Sequence, residues 1–264
     1  MTSAASSADP PLAAAPLPVA PTAPRFDRLD ALRGAAMVWM AAYHFAYDLN
    51  YFGLVRLHMA ADPLWIAQRT CIVGLFLFCA GAGQAIALRR TPGAGLAGRF
   101  DARFWRRWVQ VAGCVLAVSA VSYVMFPRTF ITFGVLHGIA AMLIVVRLTA
   151  GAGRALWALG LVAVLLPRLV SSSFFDPRWT NWVGLAVHRP PTVDYVPLLP
   201  WIGAMWWGLA AGMWALRHGR SLLTDPLPAP LAPLAVLGRW PLTFYMLHQP
   251  VLMGGLQLWM RLRG

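Results

Sequence analysis

The sequence contains no lysine and no glutamate: every basic residue is arginine and every acidic one aspartate. That bias reads as genome composition rather than function. Charge of either sign is scarce, at 12% of 264 residues, about half the ~25% of a soluble domain, which argues against a water-soluble fold. Cysteine is sparse too. Cys71, Cys79 and Cys114 are odd in number, match no metal spacing and sit in apolar runs, as buried free thiols do. Other signals are missing. No basic region precedes an apolar stretch at the N-terminus, so a secretory signal is not expected. No Walker or dinucleotide fingerprint occurs. No internal repeat supports an inverted-repeat transporter. No serine or cysteine stands in an evident nucleophile motif.

What the chain does have is apolar sequence: 59% of its residues, blocked into long runs. Runs of that length predict an all-α fold, a polytopic transmembrane helical bundle. Seven spans are expected, at about 31–49, 64–88, 108–125, 130–148, 155–170, 198–216 and 241–260. Residues 1–24 are rich in Ala and Pro and read as a disordered cytoplasmic tail; residues 25–264 read as one membrane domain. The net charge of +13 does not point to nucleic acid, because the arginines cluster at span ends. There they follow the positive-inside rule, placing the N-terminus in the cytoplasm and the chain in a cell inner membrane.

Ionisable residues inside spans are functional candidates by default. His44 and Asp48, in "MVWMAAYHFAYDLNYFG", are four residues apart and share a helix face. The aspartate can accept one imidazole proton and leave the other nitrogen as a base, or the pair can simply link helices. His137 is expected at a depth like that of His44, and His248 near the middle of the last span, where Pro250 frees a backbone carbonyl that a His or Gln can satisfy. Gln84 and Arg69 lie within the second span, and Arg69 has the choice of snorkelling outward or pairing with Asp48. His58, in the following loop, carries little weight by itself. The basic stretch containing Arg103, Arg106 and Arg107 serves topology and anionic lipid, or, on a sharper reading, binds phosphate. No metal site is expected.

The segments "RLDALRGAAMVWMAAYHFAYDL", "FGVLHGIA", "DYVPLLPWIGAMWWGLAAG" and "LGRWPLTFYMLHQPVL" resemble bacterial membrane proteins of the heparan-alpha-glucosaminide N-acetyltransferase catalytic-domain family. The likeness covers nearly everything after residue 24. The D-x-x-R-G element containing Arg33 is similar to that of wider transmembrane acyltransferases. The resemblance implies transfer of an acetyl group from cytoplasmic acetyl-CoA, or another acyl-CoA, to a sugar amine or hydroxyl on the far side. The acyl-CoA is then a co-substrate, with no tightly bound cofactor. In the animal enzyme an Asn falls near the position of His44 and a catalytic His lies in the next luminal loop, which raises His58 to a candidate.

Two functions follow. In the first, a membrane acyltransferase uses His44 with Asp48, or else His58, as base; its partners are the bilayer, an acyl-CoA and a glycan or lipid-linked sugar acceptor, and a homo-oligomer is left open. In the second, the same His/Asp pair serves a non-enzymatic proton-coupled carrier; a haem held by His44 and His137 would need more ligand repetition than the chain has.

Overall fold

The computed structural model describes residues 26–90 and 95–263; the expected tail, 1–24, lies outside them. The described residues form ten α-helices: α1 (Asp27–Tyr51), α2 (Pro63–Leu88), α3 (Leu96–Arg99), α4 (Ala102–Met125), α5 (Val135–Thr149), α6 (Ala155–Leu169), α7 (Leu198–His218), α8 (Ser221–Thr224), α9 (Ala232–Gly238) and α10 (Pro241–Arg263). The seven longest coincide with the seven apolar segments. Of these, α2, α4, and α5 together with the 3-10 turn that extends it to Ala152, are long and apolar enough to cross a membrane. The protein is an all-α helical membrane bundle.

Local chemistry sets the helix starts. Asp62 accepts the Leu64 N–H at 2.8 Å and Pro63 takes the first helical position, where its missing donor costs nothing. Asp101 likewise caps α4 through the Phe104 N–H at 2.9 Å. The fourth apolar run was expected to be helical from residue 130. The helix begins at Val135 instead, because the preceding segment pairs with a distant one: the Val193 N–H donates to Thr129 at 3.0 Å and the Val196 N–H to Phe133 at 3.1 Å. His137 is therefore the third residue of α5, and not about seven residues into a span.

Hydrophobicity cannot hold helices together where lipid is as apolar as leucine, so backbone proximity and interhelical hydrogen bonds must. The centre of the bundle is the α2–α7 pair. A Cβ on Gly81 would collide with the Met205 carbonyl, and one on Gly208 with that of Phe78, so the two backbones touch. Met205 and Leu209 are fully buried beside this crossing. Indole donors add cross-links: Trp108 to the Ala140 carbonyl at 2.9 Å, Trp206 to Thr149 Oγ1 at 2.8 Å and Trp207 to the Trp157 carbonyl at 3.1 Å. Around the centre, α6 packs on α7, α4 on α5, and α1 on α2, α9 and α10. The helix α4 buries only Phe104, Val111 and Ser122, so most of its surface faces outward.

Candidate active site

Between α1, α2, α4 and α10 lies a cavity of about 1130 Å³, partly roofed at the end where α1 finishes by residues of the 184–201 segment. His44, Asp48, Arg69, His248 and Gln249 line it, together with Tyr43, Tyr245, Arg189 and Asp194.

The partner of His44 is His248, 204 positions away: His44 Nδ1 and His248 Nε2 are 2.7 Å apart, and the rings lie edge to edge, with centroids at 4.9 Å and planes 19° apart. The protons in this chain follow from its far end. His248 Nδ1 lies 2.7 Å from the Tyr245 carbonyl, which can only accept, so that nitrogen donates. In the neutral ring, His248 Nε2 is then the acceptor. His44 Nδ1 donates to it, and His44 Nε2 keeps a free lone pair. The tautomer is assigned by this network. The residue expected to orient His44 was Asp48. Its recorded bond is instead from Gln249 Nε2, at 2.6 Å to Oδ1. The i,i+4 spacing put the two side chains on one face, but each pairs outward to α10. Asp48 is fully buried, and its Oδ2, like Gln249 Oε1, has no hydrogen-bond partner among the described residues.

The remaining candidates divide. His137 is spent on structure: Nδ1 accepts the Gly134 N–H at 3.3 Å, so Nε2 donates to Ser119 Oγ at 3.0 Å, and that hydroxyl passes its own proton to the Ile131 carbonyl at 3.1 Å. Arg33 holds Asp30 at 2.6 Å and the Gly238 carbonyl at 3.0 Å, fastening α1 to α9. His58 is exposed in the connection after α1 and is not one of the residues lining the cavity. Arg69 does not pair with Asp48; it lies at the roofed end of the cavity, within electrostatic reach of Tyr43, Arg189 and Asp194.

Two aspartates that were not site candidates hold the roofing segment in place; in the sequence Asp176 is notable only as the acid beside Arg178. Asp194 Oδ2 accepts the Val135 N–H at 2.8 Å and so caps α5 from a distant segment. Burial pushes its carboxyl up, while the Val135 N–H, Arg189 and Arg69 pull it back. Asp176 accepts the Val187 N–H at 2.8 Å, the His188 N–H at 3.0 Å and the His188 ring at 2.9 Å. These bonds, the ring bond foremost, hold its carboxyl below the usual 3.8, and they fix the backbone immediately before Arg189.

A second, smaller cleft of about 140 Å³ opens at the opposite end of the bundle, lined by Arg90, Arg103, Arg107, Asp101 and Arg147 among others. Two of the three arginines expected to bind phosphate are therefore there; Arg106 is exposed but is not among the lining residues. Arg147 looked like a topology charge at the end of an apolar run. It is 4% exposed, donating to Gln84 Oε1 at 2.6 Å and to the Arg99 carbonyl at 2.5 Å, with its guanidinium 4.9 Å from the Phe104 ring. Gln84, isolated in an apolar run, was the signal that a buried donor must face it.

Both histidines of the central pair, the cavity's α1 wall and the first part of its α10 wall, up to Pro250, fall inside one matched region; Met253, Gly254 and Gln257 lie beyond it. No match to a curated protein or to a solved structure was found. Residues 25–250 match the family described as Heparan-alpha-glucosaminide N-acetyltransferase, catalytic, and the chain belongs to that family.

Proposed function

We propose that the protein is a multi-pass inner-membrane acyltransferase with a cytoplasmic N-terminus. It moves an acetyl or other acyl group from cytoplasmic acyl-CoA to a sugar amine or hydroxyl in the extracytoplasmic half of the bundle, with His44 as general base. The observation that carries this reading is the chain Tyr245 carbonyl–His248–His44, which ends in an unspent Nε2 at a cavity wall. Family membership supports the reaction class.

In this mechanism His44 Nε2 takes the acceptor's O–H or N–H proton as the acceptor atom attacks the thioester carbon. The C–S bond then breaks, and the imidazolium returns the proton to the departing thiolate. His248 stabilises the imidazolium through its Nε2 lone pair. Direct transfer is simpler than an acyl-enzyme here, since no activated Ser or Cys stands beside the pair. Asp48 Oδ2 and Gln249 Oε1 are buried acceptors without partners among the described residues, and they would meet the hydroxyl or amine hydrogens of a sugar ring at the base once their side chains turn toward the cavity. The arginine cleft lined by Arg103 and Arg107 suits the CoA phosphates, whose anionic oxygens match guanidinium forks. The helix α4 runs from that cleft to the cavity wall at Val121, about 20 Å at ~1.5 Å per residue, a distance that the extended thiol arm of CoA would have to bridge.

The test is acyl transfer by purified protein with acetyl-CoA and a glucosamine acceptor, alongside acyl-CoA binding. His44→Ala should abolish transfer while binding persists. Protein that binds no acyl-CoA would favour the carrier reading, and full activity in His44→Ala with loss in His58→Ala would move the base to the loop.

A further inference from the structure

The acceptor half of the cavity has two features that a site for a soluble sugar does not need. The first is a side opening. Helix α4 is anchored on α5, and α10 on α1 and α9, so α4 and α10 meet at most loosely where both line the cavity. Tyr51, Val121 and Met125 line it and yet are 54%, 58% and 50% exposed, so this wall faces the surroundings of the bundle as well as its interior. On the α10 side, Gly254 lines the same gap, and nothing lies within 4 Å of where its Cβ would be. Around a membrane-embedded bundle, the medium at such a gap is lipid tails.

The second feature is a pair of arginines at the roofed end. Arg69 and Arg189 both line the cavity and lie within electrostatic reach of each other. Among the described residues neither has a carboxylate within ion-pair distance. Asp194, an acid within electrostatic reach of both, has one oxygen committed to the α5 cap. Two guanidinium groups facing one cavity repel each other until an anion sits between them, and phosphate oxygens match their donor geometry. Arg69 stands six residues after the first residue of α2 and His44 seven before the last of α1, so each is about 10 Å from its helix end, and the two are at similar depth.

Resting on the acyltransferase reading, we propose that the acceptor is a phosphate-bearing lipid that enters sideways between α4 and α10. Its phosphate binds Arg69 and Arg189, its tails stay in the gap beside Val121, Met125 and Gly254, and the hydroxyl or amine of its headgroup reaches His44 Nε2. A soluble sugar phosphate would satisfy the arginines but leave the gap unused.

The experiment uses the purified full chain, stripped of lipid in a neutral detergent. Its thermal midpoint is followed on addition of phosphatidylglycerol, which carries a phosphate, tails and free hydroxyls, of diacylglycerol, which has the tails and a hydroxyl but no phosphate, or of glycerol phosphate. The expected result is a rise of about 5 °C or more with phosphatidylglycerol at saturation, and little with the other two. The double variant R69Q/R189Q should bring the phosphatidylglycerol shift down to the diacylglycerol level. Gly254→Leu, whose added Cβ meets no neighbour, should reduce it by obstructing the gap. An undiminished shift in both variants, or an equal shift with diacylglycerol, overturns the proposal. A full shift with glycerol phosphate alone overturns its lipid part. His44→Ala should keep the phosphatidylglycerol shift while losing acyl transfer, so a wrong assignment of the base and a wrong assignment of the acceptor give different results.

Discussion

His44 Nδ1 and His248 Nε2 stand 2.7 Å apart, joining the first and last long helices through a single proton. The Tyr245 carbonyl fixes which way that proton points. Replacing His44 by Ala should lower acyl transfer by about 10²–10⁴-fold, the usual contribution of a positioned base. Replacing His248 by Ala leaves the base in place but removes the acceptor that sets its tautomer. Transfer should fall about tenfold or more, and less than for His44→Ala. His248→Gln, whose amide oxygen can accept from Nδ1–H, should recover part of the loss. Steady-state kinetics on the three variants check this, and an inactive His248→Gln beside an active His248→Ala would refute the orienting role.

Asp48→Asn keeps an oxygen for the Gln249 bond and changes the buried oxygen that has no partner. If that oxygen receives a hydrogen from the acceptor, the acceptor KM should rise about tenfold or more, as expected for a lost hydrogen bond to a charged group, with kcat changed less. A fall in kcat alone would assign Asp48 to the chemical step.

At the opposite end, acyl-CoA should raise the thermal midpoint of the protein. Arg103→Gln with Arg107→Gln should remove that shift, since both line the cleft, while Arg106→Gln should leave most of it, since Arg106 does not. Differential scanning fluorimetry with acetyl-CoA decides; equal losses from all three would mean a general surface attraction.

Acid should loosen the roof of the cavity. Asp176 has its carboxyl held below 3.8, first by the His188 ring bond. A depressed carboxylate stabilises the folded loop fully above its unfolded value, and that contribution is lost as pH falls through the lower folded one. Exchange at the Val187 and His188 amides, corrected for intrinsic rate, should be slow near neutrality and accelerate below about pH 4. Asp176→Asn should exchange faster at neutral pH and lose the acid step. Unchanged protection in that variant would remove Asp176 from the account.

Much of this was legible in the sequence because membrane helices announce themselves by length and composition. The seven long helices stand where the apolar runs do, and His44, Asp48, Gln84 and His248 stood out as polar residues in apolar surroundings. Their pairing was not legible. The i,i+4 rule relates His44 only to its own helix, whereas its partner is 204 residues away, and local spacing says nothing about contacts between helices. The depth of His137 was misjudged because residues 130–134 are apolar enough for a helix but are held out of one by backbone bonds on either side of Phe130, from Val193 to Thr129 and from Val196 to Phe133. Arg189 and Asp194 lie in a proline-rich loop, where charged residues are ordinary and only the folded chain brings them to the cavity. Arg147 was hidden by its position, since an arginine at the end of an apolar run has a sufficient topological reason to be there.

The glycine contacts between α2 and α7 have a mechanical consequence. Gly208→Val should cost about 1–3 kcal/mol of stability, as overpacking does, visible as a lower thermal midpoint. The same contact leaves no slack for motion. With Gly81 on the Met205 carbonyl and Gly208 on that of Phe78, these two helices can neither slide nor roll past each other without backbone collision, and they behave as a fixed chassis. Movement that admits a substrate or releases a product then falls to elements outside this pair, foremost α4, which packs mainly on α5, while the His44–His248 and Asp48–Gln249 bonds keep α10 on α1.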